Sequence, residues 1–238
     1  AASKTLTAQH SRIKTAIQSK AVSYDVKYEY TTLLNGMSAD VKFGDLEKLA
    51  STAGVKEVYL ANYYDEPVVM PSMDSSNEMT RTALLHKWNT GKGTVIAVID
   101  TGITPGHEAF TAYDSMLNKA AISKEQAETA IEKLGRGRYL SAKVPFSYDY
   151  YDKDNDATDD VSGHGTHVSG IIAGDGYASH GRFKGIAPMS QIVSVKVLDS
   201  NGNGNIENVI KGTKWIINNK DIYNIKIVNI SFGTTHTP

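Results

Sequence analysis

An acid, Asp100, stands directly after the longest uninterrupted apolar run of the chain, Val95–Ile99. Such a run reads as a buried strand, and in open parallel sheets the functional crevice lies beyond the carboxyl ends of the strands. Asp100 is therefore placed for chemistry, although taken alone it is equally a turn residue holding backbone amides. A second group is Ser162-Gly163-His164-Gly165-Thr166-His167-Val168-Ser169-Gly170, followed by the apolar Ile171-Ile172-Ala173. Glycines on both sides of His164 let backbone approach it closely and leave its imidazole accessible. The start of a helix opposes protonation of such a ring, whereas a neighbouring carboxylate favours it. An Asp–His pair would hold the neutral imidazole in one tautomer and stabilise the imidazolium as it forms, which is the task of a general base. An isolated His is more often structural. His164 and His167 also suggest a zinc pair, but their spacing is one residue short of the i, i+4 pair of zinc hydrolases and no Glu follows His164; no metal is assigned to them. Asp152, Asp154 and Asp156 alternate, with Asp159 and Asp160 close behind. These carboxylates could cage calcium or form a solvated acidic loop, and the Gly and distant Glu of an EF-hand are missing.

The elements that must position these groups follow from periodicity. From Gly91 onward strands and helices alternate, the pattern of a parallel sheet covered on both faces. Thr94–Ile99, Gln191–Val197 and Ile225–Ile230 are predicted strands, and a helix is predicted from near His164. A second helix is expected over Ile206–Asn219, where Ile206, Val209, Ile210, Thr213 and Ile217 share a face. A third is expected over Lys124–Leu134, opened by a Ser123/Gln126 capping box and closed by Gly135. Ahead of this region the order reads α-β-β-α-β: a helix over Thr5–Ser19, strands at Ser23–Tyr30 and Gly36–Lys42 around Asn35-Gly36, a helix over Asp45–Thr52 and a strand at Val55–Ala61. One more strand in front would complete the split βαβ pattern of ferredoxin-like folds. Asp65–Thr80, rich in Pro, Ser, Asp and Asn, reads as a linker.

Composition narrows the function classes. The 238 residues suffice for one large or two modest domains, and 40% hydrophobic residues plus 20 glycines suit a folded chain. A net charge of −1 supplies no global field to recruit nucleic acid or an anionic membrane. The absence of Cys removes disulfides, thiolate catalysis and Cys-bound metal. No apolar run approaches the roughly 20 residues of a membrane span. The opening Ala-Ala-Ser-Lys, without Met or a charged leader, suits a mature or trimmed terminus.

Val98-Ile99-Asp100-Thr101-Gly102-Ile103 and His164-Gly165-Thr166-His167-Val168-Ser169-Gly170 resemble the Asp and His signatures of the subtilisin-like serine proteases. The resemblance continues through Gly185-Ile186-Ala187-Pro188, Val195-Lys196-Val197-Leu198-Asp199 and Val228-Asn229-Ile230-Ser231-Phe232-Gly233, in the family's order. The front unit, from Leu34-Asn35-Gly36 through Gly54-Val55-Lys56-Glu57-Val58, is similar to the family's inhibitory chaperone prodomain. Lys143-Val144-Pro145-Phe146-Ser147-Tyr148-Asp149-Tyr150, with the long insertion between Asp and His, resembles the Gram-positive cell-envelope proteinases, the lactocepin and C5a-peptidase branch.

This resemblance implies an α/β chain: a prodomain over residues 1–66, a linker over 67–80, and over 81–238 the N-terminal half of a parallel-sheet catalytic domain. Asp100 would orient His164, and His164 would take the proton of a nucleophilic serine. Gly202-Asn203-Gly204 and Ser231-Phe232-Gly233 would pair with an extended protein or peptide substrate as added strands; Asn-Gly-Asn-Gly is also an ordinary turn. The family's Gly-Thr-Ser-Met-Ala nucleophile motif does not occur in the sequence, so the chain alone is expected to be inactive and to need a C-terminal segment carrying the Ser as its partner. No cofactor is implied as a requirement. The family's strong calcium site uses an acid nine residues after the catalytic Asp; Ala109 stands there, so the resemblance implies no ion at that site, and the acidic loop at Asp152, Asp154 and Asp156 stays open between a calcium cage and a solvated loop, with the solvated loop favoured. A secreted or wall-associated bacterial location is implied. The alternatives are a non-catalytic module derived from a protease, binding peptides or a partner, and a metal-dependent hydrolase using His164 and His167.

Overall fold

The computed structural model describes residues 2–64, 76, 79–111 and 120–233. The chain divides into two compact units, Ala1–Asn62 and Tyr63–Pro238.

The first unit opens with α1 (Ala2–Ser19). Its inward stripe is Leu6, His10, Ile13 and Ile17, so a buried histidine completes the period that the apolar residues alone leave open. His10 Nδ1 lies 3.0 Å from Glu29 Oε2 and its Nε2 lies 2.8 Å from Asn35 Oδ1, while Lys14 Nζ donates to the other Glu29 oxygen at 2.6 Å. The Lys14 ammonium, outweighing the desolvation that opposes it and helped by His10, holds the Glu29 carboxyl below the usual range. β1 (Tyr24–Tyr30) and β2 (Gly36–Val41) form an antiparallel hairpin running from Tyr24↔Val41 to Tyr30↔Gly36, and α2 (Leu46–Ala50) follows.

The ferredoxin-like expectation is not met in full. Val55–Ala61 forms no strand, and the sheet has two strands. The pattern Val-Lys-Glu-Val alternates as a strand should, but ladder bonds need a neighbouring backbone, and no further strand of this unit lies among the described residues to supply one. The expected linker at 67–80 falls largely outside the described residues.

The second unit is built on a parallel sheet in the order β5-β6-β4-β8. β4 is Val95–Asp100, β5 Phe146–Asp149, β6 Gln191–Lys196 and β8 Ile225–Ile230. β5 is a strand that periodicity did not yield; buried on both faces, its four residues show no alternation to read. Around the sheet lie α3 (Thr82–Leu85), α4 (Lys124–Leu134), α5 (His164–Ala173) and α6 (Ile206–Asn219). α4 carries the expected capping box between Ser123 and Gln126 and ends at Gly135 in the left-handed region.

The parity of β4 sets the site. Val95, Ala97 and Ile99 pack with Ala127 and Ala130 of α4 and with Trp215 and Ile216 of α6. Val98 packs instead with Val168 and Ala173 of α5. Successive strand side chains point to opposite faces, so Asp100, two residues past Val98, lies on the face that α5 covers. Lys143 is fully buried beside this core, with Nζ donating to the Pro188 carbonyl at 2.8 Å. Burial pushes its ammonium down to about 7, against the attraction of Asp175. Among the described residues β8 pairs with β4 on one side only, and its Ile227, Val228 and Ile230 are about half exposed, at 53%, 42% and 49%. Among the described residues, no helix is long and apolar enough to cross a membrane.

Candidate active site

Asp100 ends β4 and His164 begins α5, which brings residues 64 apart in sequence into contact. His164 Nδ1 lies 2.6 Å from Asp100 Oδ1, and both residues are buried. The same Oδ1 accepts the Thr101 N–H at 2.8 Å, so it is an acceptor and the ring proton sits on Nδ1. Nε2 is then the basic nitrogen of the neutral ring, which can take a proton while the carboxylate steadies the cation formed. Asp100 Oδ2 is buried with no hydrogen-bond partner among the described residues. A carboxylate oxygen left in that state is a cost that folds bear mainly at functional sites.

Glycines make the approach of α5 to β4 feasible. A Cβ on Gly165 would come within 2.3 Å of the Gly102 carbonyl oxygen. In its absence the Gly165 N–H donates to Thr101 Oγ1 at 2.9 Å. Gly163, the residue before the helix, has φ 73°, a conformation that costs glycine little.

The segments expected to meet substrate meet part of this chain instead. β3 (Tyr63–Tyr64) runs antiparallel to β7 (Gly204–Asn205), with Tyr64 opposite Gly204 and Tyr63 opposite Asn205. The Tyr64 ring packs edge-on against Phe232, centroids 5.7 Å apart. Gly204 and Phe232 therefore converge on one added strand. Asn203 does not join the ladder, because its N–H donates to Asp199 Oδ1 at 2.9 Å and its carbonyl accepts the Asp199 N–H at 2.7 Å. Gly202 makes the turn between them, with φ 79°. Ser231 Oγ accepts from Asn229 Nδ2 at 2.8 Å, and Gly233 is exposed.

The acidic run separates into two kinds of residue. Asp152, Asp154 and Asp156 are exposed; Asp154 accepts the Asp156 N–H and Asp156 accepts Thr158 groups, as in a solvated loop. Among the described residues no three His, Asp or Glu groups are placed to hold a metal. Asp159 is buried and bonded to the start of α5, a difference that its position in an Asp-rich stretch hides. Tyr64 was likewise missed by sequence reasoning, since a two-residue strand has no period to detect. His167, partly buried one turn along α5, is held below its ordinary range first by burial and then by the proximity of His164.

Comparison with known proteins identifies the family. Residues 91–238 match the model of the subtilase family. The PII-type proteinase of Lacticaseibacillus paracasei is 33% identical over 201 residues, covering 82% of this chain and 10% of that protein. The C5a peptidase of Streptococcus pyogenes is 33% identical over 156 residues, 63% of this chain and 13% of that protein. The minor extracellular protease Epr of Bacillus subtilis is 36% identical over 148 residues, 61% of this chain and 16% of that protein. The chain thus spans about a tenth of the length of the first of these relatives. A parallel sheet with Asp100 and His164 paired at the carboxyl end of β4, a family match over residues 91–238 and relatives on the branch its motifs resemble lead to one assignment: the chain belongs to the subtilase family, with its subtilisin-like α/β fold.

Proposed function

We propose that this chain is part of a secreted or wall-associated serine endopeptidase of the subtilisin type, supplying a prodomain, the catalytic Asp100 and His164 and part of the substrate cleft. The observation that carries this reading is the buried 2.6 Å bond between His164 Nδ1 and Asp100 Oδ1. The nucleophilic serine lies outside these 238 residues, on a segment that adds to the exposed edge of β8. In the assembled enzyme His164 Nε2 takes the serine proton, Asp100 holds the ring in that tautomer, and His164 returns the proton to the leaving amine. A polypeptide substrate lies as an added strand between Gly204 and the Ser231-Phe232-Gly233 segment, recognised through its main chain and so with broad tolerance of sequence. The antiparallel pairing of Tyr63–Tyr64 with β7 supports a prodomain whose end blocks the cleft before maturation.

The test is steady-state kinetics of the whole proteinase with His164→Ala. Removing the base leaves substrate binding and oxyanion stabilisation in place, so turnover should fall by several orders of magnitude with little change in KM. Turnover within a few fold of the parent enzyme refutes the proposal. Loss of activity on His167→Ala, restored by added zinc, would favour the metal-dependent alternative.

A further inference from the structure

We infer that Asp159 is a positioning residue for His164, its carboxylate fixing the backbone that presents the imidazole to Asp100. The inference rests on the reading of Asp100 and His164 as a catalytic pair. A helix begins with backbone N–H groups that have no partner within the helix, and the residue before α5 is Gly163, which has no side chain to cap them. All four N–H groups around His164 are nonetheless bonded. Asp159 Oδ1 accepts from Gly163 N–H at 3.0 Å and Asp159 Oδ2 from Thr166 N–H at 2.9 Å. His164 N–H donates to Ser162 Oγ at 3.1 Å and Gly165 N–H to Thr101 Oγ1 at 2.9 Å. One buried carboxylate thus grips the chain on both sides of His164.

The same carboxylate belongs to a ring of bonds that reaches the Asp100 side of the pair. Thr166 Oγ1 donates to Asp159 Oδ2 at 2.9 Å and accepts the Thr104 N–H at 2.9 Å. Thr104 Oγ1 donates to the Asp159 carbonyl at 2.6 Å. Thr104 lies four residues past Asp100 on the loop leaving β4, so Asp159, Thr166 and Thr104 lock the exit of the acid-bearing strand to the entry of the base-bearing helix. Asp159 and Thr166 are buried, at 4% and 7% exposure, so solvent does not substitute for these bonds. A bond as short as 2.6 Å between Asp100 and His164 tolerates little drift of either backbone, and a misplacement of about 1 Å can cost on the order of 100-fold in rate. Asp159 also places a negative charge at the first turn of the helix that carries His164, where it favours the imidazolium. Asp100 bonds the ring directly, and His167 interacts with it electrostatically.

The experiment uses the whole proteinase and compares Asp159→Asn, Asp159→Ala and, in parallel, Asp100→Asn. Asn keeps one acceptor oxygen and loses the other, so Asp159→Asn should lower kcat by about 10-fold and Asp159→Ala by about 100-fold, with KM within about 2-fold of the parent. In both variants the acid limb of the kcat/KM profile should move to lower pH, which a purely structural loss does not produce. Unchanged kcat and an unmoved acid limb overturn the inference, whatever happens to thermal stability. Failure of Asp159→Asn to fold also overturns it, since that marks a residue needed for the fold rather than for the pair. If Asp100→Asn itself leaves kcat intact, the reading of the catalytic pair fails as a whole; if it abolishes turnover while the Asp159 variants are normal, only the present inference fails.

Discussion

The Asp100–His164 centre and the edge formed by β7 and residues 231–233 are held by different means. The Thr101, Gly163, His164 and Gly165 N–H groups around the centre each have a named acceptor on β4, on the loop before α5 or on the loop leaving the strand, and the groups involved are largely buried. Among the described residues the edge shows one short strand pair and one aromatic contact, beside an edge strand whose Ile227, Val228 and Ile230 are about half exposed. A reaction that moves a proton needs atoms fixed to tenths of an ångström. Recognition through an added strand needs only an unpaired edge and a surface for occasional side chains. The molecule places rigidity where chemistry is proposed and leaves open edges where chains are proposed to join.

This contrast is broken most severely if the open edge proves harmless. An exposed apolar edge strand offers unpaired amides and carbonyls to another chain, and marginal domain stabilities of about 5–15 kcal/mol do not survive the loss of much of a core. The pure 238-residue species is therefore expected to order only with a completing segment, with joint unfolding that depends on concentration when the segments are not covalently linked. Sedimentation and denaturation across a concentration series measure this; a compact monomer with a concentration-independent transition would favour a self-sufficient binding module. Next in size, Asp100→Asn in the whole enzyme leaves the geometry but loses the tautomer, and turnover should fall about 10⁴-fold. Kinetics showing less than a 10-fold loss would remove the carboxylate from the mechanism.

Smaller effects sharpen the same comparison. Lys143 lies in the buried part, and its ammonium is pushed from 10.5 to about 7. Between those values the unfolded chain binds more protons than the folded one, so stability rises with pH from about 7 upward, by at most about 1.4 kcal/mol per pH unit. Lys143→Met should flatten that rise between pH 7 and 9 in the assembled domain, read from unfolding midpoints; identical slopes contradict it. On the exposed side, residues 1–76 added in trans should inhibit the mature enzyme. Because an aromatic contact contributes about 0.5–1.5 kcal/mol beyond its area, Tyr64→Ala should weaken that inhibition by about 10-fold. No inhibition by residues 1–76 at high micromolar concentration would separate Tyr63–Tyr64 from any blocking role.

What could be read from the residues follows the same division. β4, β6 and β8 are six residues long and rich in β-branched side chains, α6 is periodic, and α4 declares its own ends through Ser123, Gln126 and Gly135. Asp100 and His164 are flanked by glycines and apolar runs whose spacing suggests an acid and a base even before any resemblance is considered. β5 was not legible, because four residues, Phe-Ser-Tyr-Asp, buried on both faces give neither an alternation nor an apolar run. Val55–Ala61 failed in the opposite sense, since local alternation is only half of a strand and the other half is a partner. Asp159 and Tyr64 were hidden for a third reason: their roles are defined by distant residues, Thr104 and Thr166 for one, Gly204 and Phe232 for the other.

The central claim is that Asp100 and His164 are two parts of a three-part device whose serine lies on another segment. Labelling with a fluorophosphonate probe, which reports an activated serine, tests it most directly in three samples: the 238-residue species alone, the same species joined by the completing segment, and that assembly carrying His164→Ala. Labelling is expected only in the second. Robust labelling of the 238-residue species alone, purified to a single polypeptide by intact mass, would contradict the account.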